Sequence, residues 1–214
     1  MQLPSKLLDD AVQAFAALPG IGKKTALRLV LHLLKEDADK ARQFGDTIAR
    51  MREEVQFCSQ CHNVCDQDKL QPNSPPLCSI CSNRSRNQEV ICVVEDIRDL
   101  IAIESTDQFN GTYHLLGGVI SPVDGIGPED LHFDTLLQRI EEQGVKELIM
   151  ALSPTIEGDT TIFYLSKKLR QPDVRITTIA RGISFGGDLE YVDELTLSRS
   201  LANRLPYESY LVNK

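Results

Sequence analysis

The sequence predicts an α+β protein of several parts: a helical N-terminal module, a short segment stapled by metal, and a C-terminal α/β domain built on a parallel sheet. Three observations predict it. Apolar residues recur at helical spacing as far as Val55, four cysteines stand in two Cys-x-x-Cys pairs between Cys58 and Cys81, and β-branched runs alternate with helical stretches from Val90 onward. A chain of 214 residues, 42% hydrophobic and 25% charged, has the material for such cores. No apolar run approaches the roughly eighteen residues of a membrane span, so no membrane role is expected. Met1-Gln2-Leu3-Pro4-Ser5 lacks the regions of a signal peptide, so the thiols should meet a reducing cytosol.

From Ser5 to Leu18 the residues Leu7, Leu8, Ala11, Val12, Ala14, Phe15 and Leu18 repeat with helical period, and Pro19-Gly20 ends the run. They cover more than one face. A three-helix module of about 50 residues buries too little to hide them all, so a second copy of the chain is expected to cover the remainder. A second helix runs from about Lys23 to Lys35 on Ala26, Leu27, Leu29, Val30, Leu33 and Leu34. A third runs from Ala38 to Val55, with Ala41, Phe44, Ile48, Met51 and Val55 as its buried stripe.

The net charge of −8 argues at first against nucleic acid, but the excess acid is local. Residues 1–56 hold nine Lys/Arg against eight Asp/Glu, whereas residues 91–214 hold eleven against twenty. From Ala11 to Lys35 there is no acidic residue, while Lys23, Lys24, Arg28 and Lys35 are basic. A phosphate-binding surface needs local positive charge, so DNA should dock in the N-terminal third. Gly20 and Gly22 remove side chains from the turn before the second helix, letting its amides and the free N–H groups of the helix start approach a phosphate. Gly20, Gly22, Lys23, Lys24, Thr25 and Arg28 are therefore the expected DNA contacts, reading backbone and not bases. Leu18-Pro19-Gly20-Ile21-Gly22 with Ala26 resembles the helix-hairpin-helix motif of DNA repair and recombination proteins. A Walker A loop is excluded: Lys24 follows Gly22-Lys23 where Ser or Thr is needed, and Ala17 stands at the first glycine.

Cys58-Ser-Gln-Cys61 and Cys78-Ser-Ile-Cys81, sixteen residues apart, supply the two knuckles of a four-thiolate Zn²⁺ site. Four thiolates leave no open coordination position, so the zinc is structural. Phe57, Val64, Leu70, Leu77 and Ile80 are the few apolar residues between Phe57 and Asn83, and Pro72, Pro75 and Pro76 interrupt regular structure, so the metal and no ordinary core should hold the segment. His62 and Cys65 lack knuckle spacing and stay outside the ligand set.

Four strands are expected at Val90–Val94, Thr112–Leu116, Lys146–Leu152 and Val174–Ala180, with helices at Asp96–Ser105, Phe133–Gln143 and Asp159–Leu169. Cys92 in the first strand reads as a packed thiol. In such a sheet ligands bind beyond the carboxyl ends of the strands, and there the chain places Glu95 and the pair Glu157, Asp159. That layout resembles the Toprim domain, whose acids hold Mg²⁺, except that the first of the pair is Glu where the pattern has Asp. A longer side chain moves the carboxylate by about one bond, which Mg²⁺ geometry tolerates poorly.

A helix-hairpin-helix, a four-cysteine segment and a Toprim-like domain in this order resemble the bacterial RecR family of recombination mediators. Leu116–Pro122, Asp124–Pro128, Pro154–Gly158, Ala180–Gly182 and Gly186–Tyr191 look like that family's stretches, and the likeness runs from about Leu7 to Leu201. The Asp66–Pro76 insertion between the cysteine pairs departs from it in length. The resemblance implies a non-catalytic, nucleoid-associated cytoplasmic protein that forms a dimer or ring-like tetramer around DNA. With RecO-like and RecF-like repair proteins it would help load the recombinase RecA onto single-stranded gaps. The expected divisions are 1–56, the DNA-binding module; 57–89, the zinc segment; 90–200, the Toprim-like domain; and 201–214, a tail. The alternative is a Mg²⁺-dependent nuclease-like or primase-like enzyme using Glu95 as acid or base and Glu157 with Asp159 as metal ligands.

Overall fold

The structure, a computed structural model, describes residues 3–66, 74–169, 173–183 and 186–208. Most of the Asp66–Pro76 insertion therefore lies outside the described residues. The chain divides into two compact units, Met1–Val55 and Gln56–Lys214.

The first unit holds three helices, α1 (Lys6–Ala16), α2 (Lys23–Lys35) and α3 (Ala38–Glu54). Val12 of α1 packs with Ala26 and Val30 of α2, ringed by half-buried Leu8, Phe15, Ile21 and Leu27. This small two-helix core leaves α3 a marginal role. No residue of α3 is buried, and the expected stripe is open at Phe44 (47% exposed), Ile48 (49%) and Met51 (54%). Phe44 does stack on Phe15, with ring centroids 6.4 Å apart. The stripe's helical period is right; what sequence could not supply was enough partner surface within one copy of the module.

From the last residue of the first unit onward come two short strands, β1 (Val55–Phe57) and β2 (Val64–Asp66), and one turn of helix, α4 (Ser79–Ser82). A parallel sheet follows in the order β4-β3-β5-β6, from β3 (Asn87–Val94), β4 (Gly111–Leu115), β5 (Glu147–Ala151) and β6 (Arg175–Thr178). Its connections carry α5 (Ile97–Glu104), α6 (Phe133–Gln143) and α7 (Ile156–Lys168), and α8 (Glu194–Ala202) comes after β6. The expected strands and helices of this domain are all present, with ends shifted by a few residues.

Strand alternation sends successive side chains to opposite faces. Ile91, Val93, Leu148 and Met150 face one core with Phe133, Leu136 and Ile140 of α6 and Leu165 of α7. Cys92, Val94, Tyr113, Leu115 and Ala151 face the other, with Leu100 of α5 and, unexpectedly, with Cys58, Cys61, Cys78 and Ile80. The cysteine segment is thus not held by metal alone, as its composition suggested. It shares a hydrophobic core with the sheet, because β3 and β4 present an apolar face that α5 does not fill. The Leu115 N–H also donates to the Cys61 carbonyl at 2.9 Å, so the segment occupies the edge strand β4. Cys92 is buried there, and burial pushes its thiol up to about 12.

Arg139 ties α6 to β4: its guanidinium, buried without a carboxylate partner among the described residues, donates to the Tyr113 carbonyl and to Thr112 Oγ1, each at 2.7 Å. The start of α7 is fixed by Thr155, whose Oγ1 accepts from the Gly158 N–H at 3.1 Å. Gly158 needs its missing side chain, since a Cβ built there would lie 2.0 Å from the Ser153 carbonyl oxygen. Gly158→Ala is expected to cost about 1–3 kcal/mol in urea unfolding, through displacement of the first turn of α7. Unchanged stability would show that the Ser153 loop yields freely.

Candidate nucleic-acid interface and metal centre

The turn between α1 and α2 is closed by a hydrogen bond from the Ile21 N–H to the Leu18 carbonyl at 3.1 Å. Gly20 has φ +77°, the left-handed region that glycine enters without steric cost. Gly22 is the N-cap of α2 and offers no side chain to its free N–H groups. A Cβ built at either glycine would meet nothing within 4 Å, so the space before the helix start is open. Lys23, Lys24, Thr25 and Arg28 are all exposed around it. Lys24, Arg28 and Lys35 also line one shallow groove along α2 together with Leu27, Leu31 and His32. The result is a positive dipole end flanked by cations with no acid in the first turn, an arrangement that accepts phosphate oxygens.

The four cysteines form the second constellation. Cys58, Cys61, Cys78 and Cys81 bring their Sγ atoms within 4.8 Å of one another, with Cys61 and Cys78 at 3.5 Å. A tetrahedron with metal–sulfur bonds of about 2.3 Å has sulfur–sulfur edges of about 3.8 Å, so the donor set fits one ion. Each knuckle is a backbone construction. The Cys58 N–H donates to the Asn63 carbonyl at 2.7 Å and the His62 N–H to the Cys58 carbonyl at 3.0 Å. In the other, the Cys81 N–H donates to Cys78 Sγ at 3.4 Å. Hydrogen bonding from Cys61 holds the Cys58 thiol far below its usual range and raises Cys61 in turn.

His62 is turned away from this work. It takes φ +62°, rare for a residue with a side chain, as the first knuckle closes. Its ring stacks on His132 at 3.7 Å between centroids and meets His114 edge-on at 5.4 Å. Its Nε2 shares a hydrogen bond with Thr135 Oγ1 at 2.8 Å. His114 is buried, and that burial lowers it to about 3, so the imidazole stays neutral. This histidine group, formed from residues 62, 114 and 132, gave no signal in sequence because its members lie far apart in the chain.

The Toprim-like acids do not form a third constellation. Glu95 follows β3 and accepts from Ser153 Oγ at 2.9 Å. Glu157 and Asp159 lie in the first turn of α7, where the helix dipole favours negative charge. Asp159 is gripped by the Arg181 guanidinium at 2.6 and 3.2 Å, and that hydrogen bonding holds its carboxyl below the ordinary range. Among the described residues, the four cysteines are the one group of Cys, His, Asp or Glu gathered closely enough to hold a metal. Arg181 was visible in the sequence, but nothing in the pattern announced that it would take the place beside Asp159 where the alternative enzyme reading puts a metal cation.

Three family models match the chain: RecR helix-hairpin-helix over residues 8–52, Toprim domain over 89–180 and RecR C-terminal over 182–205. Among curated relatives, the recombination protein RecR of Cytophaga hutchinsonii is 50% identical over 210 residues, 98% of each chain. That of Bacteroides thetaiotaomicron is 52% identical over 203 residues, 95% of each. That of Flavobacterium psychrophilum is 49% identical over 213 residues, spanning both chains in full.

Elemental analysis of the purified protein is expected to find one metal ion per chain. Cys58→Ser or Cys81→Ser should lose it and destabilise the second unit, while Cys65→Ser should retain it. Retention in Cys58→Ser with loss in Cys65→Ser would reverse the ligand assignment.

Proposed function

This chain belongs to the RecR family of recombination proteins, and we propose on that footing that it is a non-catalytic mediator of recombinational DNA repair. It binds DNA without regard to sequence and helps load a recombinase onto single-stranded gaps. The observation that carries this reading is the open, acid-free start of α2, where Gly20 and Gly22 clear the approach and Lys23, Lys24, Thr25 and Arg28 surround it. Residues 1–56 act as the DNA-binding module, 57–89 as the metal segment, 90–200 as the Toprim-like domain and 201–214 as a tail. The metal is Zn²⁺, which suits four soft thiolates in a closed tetrahedron. When bound it cross-links the two knuckles, and Cys58, Cys61, Cys78 and Cys81 hold it.

The absence of catalysis is supported by the acids' engagements: Asp159 with Arg181 and Glu95 with Ser153. The acid-rich Toprim-like domain offers a surface to basic partners, RecO-like and RecF-like proteins, at the bacterial nucleoid. Among the described residues no helix is long and apolar enough to cross a membrane. Assembly into a dimer or ring-like tetramer is supported by the apolar residues left open on the first unit: Leu7 at 81%, Leu34 at 70%, and the α3 stripe.

If α2 makes the contacts, affinity comes chiefly from counterion release and falls with salt at a slope of about 0.9 per duplex phosphate neutralised. Lys23→Glu/Lys24→Glu should abolish binding on two unrelated DNA sequences alike while leaving metal content intact. Survival of binding, or a marked sequence preference, would put the site elsewhere. Sedimentation at micromolar concentration should give a dimer or larger closed oligomer, shifted toward monomer by Phe44→Glu/Ile48→Glu. A wild-type monomer would remove the ring.

A further inference from the structure

The carboxyl ends of β5 and β6 open onto a cavity of about 530 Å³, within the size range of small-ligand sites. Met150, Leu152 and Leu195 give it an apolar wall, while Thr178, Arg181 and Arg199 supply polar groups. A second hollow, about 510 Å³, has Thr178, Arg181 and Arg199 in common with it and is bordered by Phe163. Phe163 is 62% exposed, and Lys167 Nζ stands 5.3 Å from its ring centroid. An apolar wall, a bare aromatic ring and a pair of guanidinium groups thus belong to one trough on an otherwise acidic domain.

The charges in this trough are unequally engaged. Arg181 spends two of its five donors on Asp159. Asp193 caps α8, accepting from the Thr196 N–H at 2.9 Å. Arg199 forms no ion pair among the described residues, although its charge also acts on Asp159, so its guanidinium donors remain open to a ligand. Ser200, next along α8, has a buried Oγ with no hydrogen-bond partner among the described residues, beside Gly182 of the cavity lining. Guanidinium groups recognise phosphate, and an exposed aromatic ring beside a cation stacks a nucleobase.

We propose that this trough is a nucleotide site: Arg199 and the free donors of Arg181 hold the phosphate, and Phe163 stacks the base. The ligand is either a free nucleotide or one unit of a DNA single strand. This goes beyond the DNA contacts assigned to α2 and does not depend on them.

The test is calorimetric titration of the full chain at low salt with thymidine 5′-monophosphate, a five-residue oligothymidylate, and inorganic phosphate alone. Saturable thymidylate or oligonucleotide binding is expected, weakened about tenfold or more by Arg199→Ala and by Phe163→Ala, and partly restored by Arg199→Lys. Both positions are exposed, and unchanged metal content and circular dichroism would establish that the variants fold. Tighter binding of the oligonucleotide identifies a DNA strand as the source, and equal or weaker binding a free nucleotide. Lys23→Glu/Lys24→Glu should leave the affinity for thymidine 5′-monophosphate unchanged, which separates this site from the α2 reading. The proposal is overturned if neither nucleotide probe binds, if Arg199→Ala binds as the wild type does, if phosphate alone binds as tightly as thymidylate, or if the α2 double substitution removes the binding of thymidine 5′-monophosphate.

Discussion

Four sulfur atoms drawn to one point are the constraint on which the second unit depends. Two knuckles sixteen residues apart can meet only if the chain between Cys58 and Cys81 is folded back on itself. Once they meet, their outer surface is apolar and settles against Cys92, Val94, Tyr113 and Leu115. The same segment takes the β4 edge through the Cys61 carbonyl and reaches α6 through His62 and Thr135. A parallel sheet must be covered on both faces. Here one face is completed by α5 and the cysteine segment together, and the four-cysteine cluster is thereby part of the domain's core.

The fold was legible wherever local pattern and tertiary environment agree. The strand at Val90–Val94 is apolar on both sides because both of its faces are buried, and α6 carries a clean stripe because Phe133, Leu136 and Ile140 face one core. The cysteine pairs were legible because knuckle geometry is written in their spacing. What could not be read were relations between distant segments. The shared core of Cys78 and Tyr113, the Asp159–Arg181 pair and the stacked rings of His62 and His132 each join residues brought together only by topology. The α3 stripe shows the converse limit: period identifies a face meant to be covered, yet not whether the cover comes from the same chain.

The two nucleic-acid readings differ in physical kind. The proposed site at the α2 start is shallow, and a helix dipole, open amides and exposed lysines would act there together on a backbone phosphate. The α7–α8 trough is concave, with Phe163 on α7, Arg199 on α8 and Arg181 on the segment that follows β6. One arrangement favours long polyanions through accumulated charge, and the other a single unit through shape.

The burial of the cysteine centre has a consequence in time. Cys58–Cys81 precedes in the chain the residues that later cover it, Tyr113, Leu115 and Ala151. During synthesis the thiols emerge before their cover, so an ion can be captured while the knuckles are still open to solvent. After β4 and β5 have paired, that face of the sheet would shield an ion on one side, leaving half-buried Cys81 as its more open side. Loading would therefore be easier before the sheet closes over the knuckles, and the lifetime of a bound metal would depend on local unfolding of the Toprim-like domain as well as on the strength of the sulfur bonds.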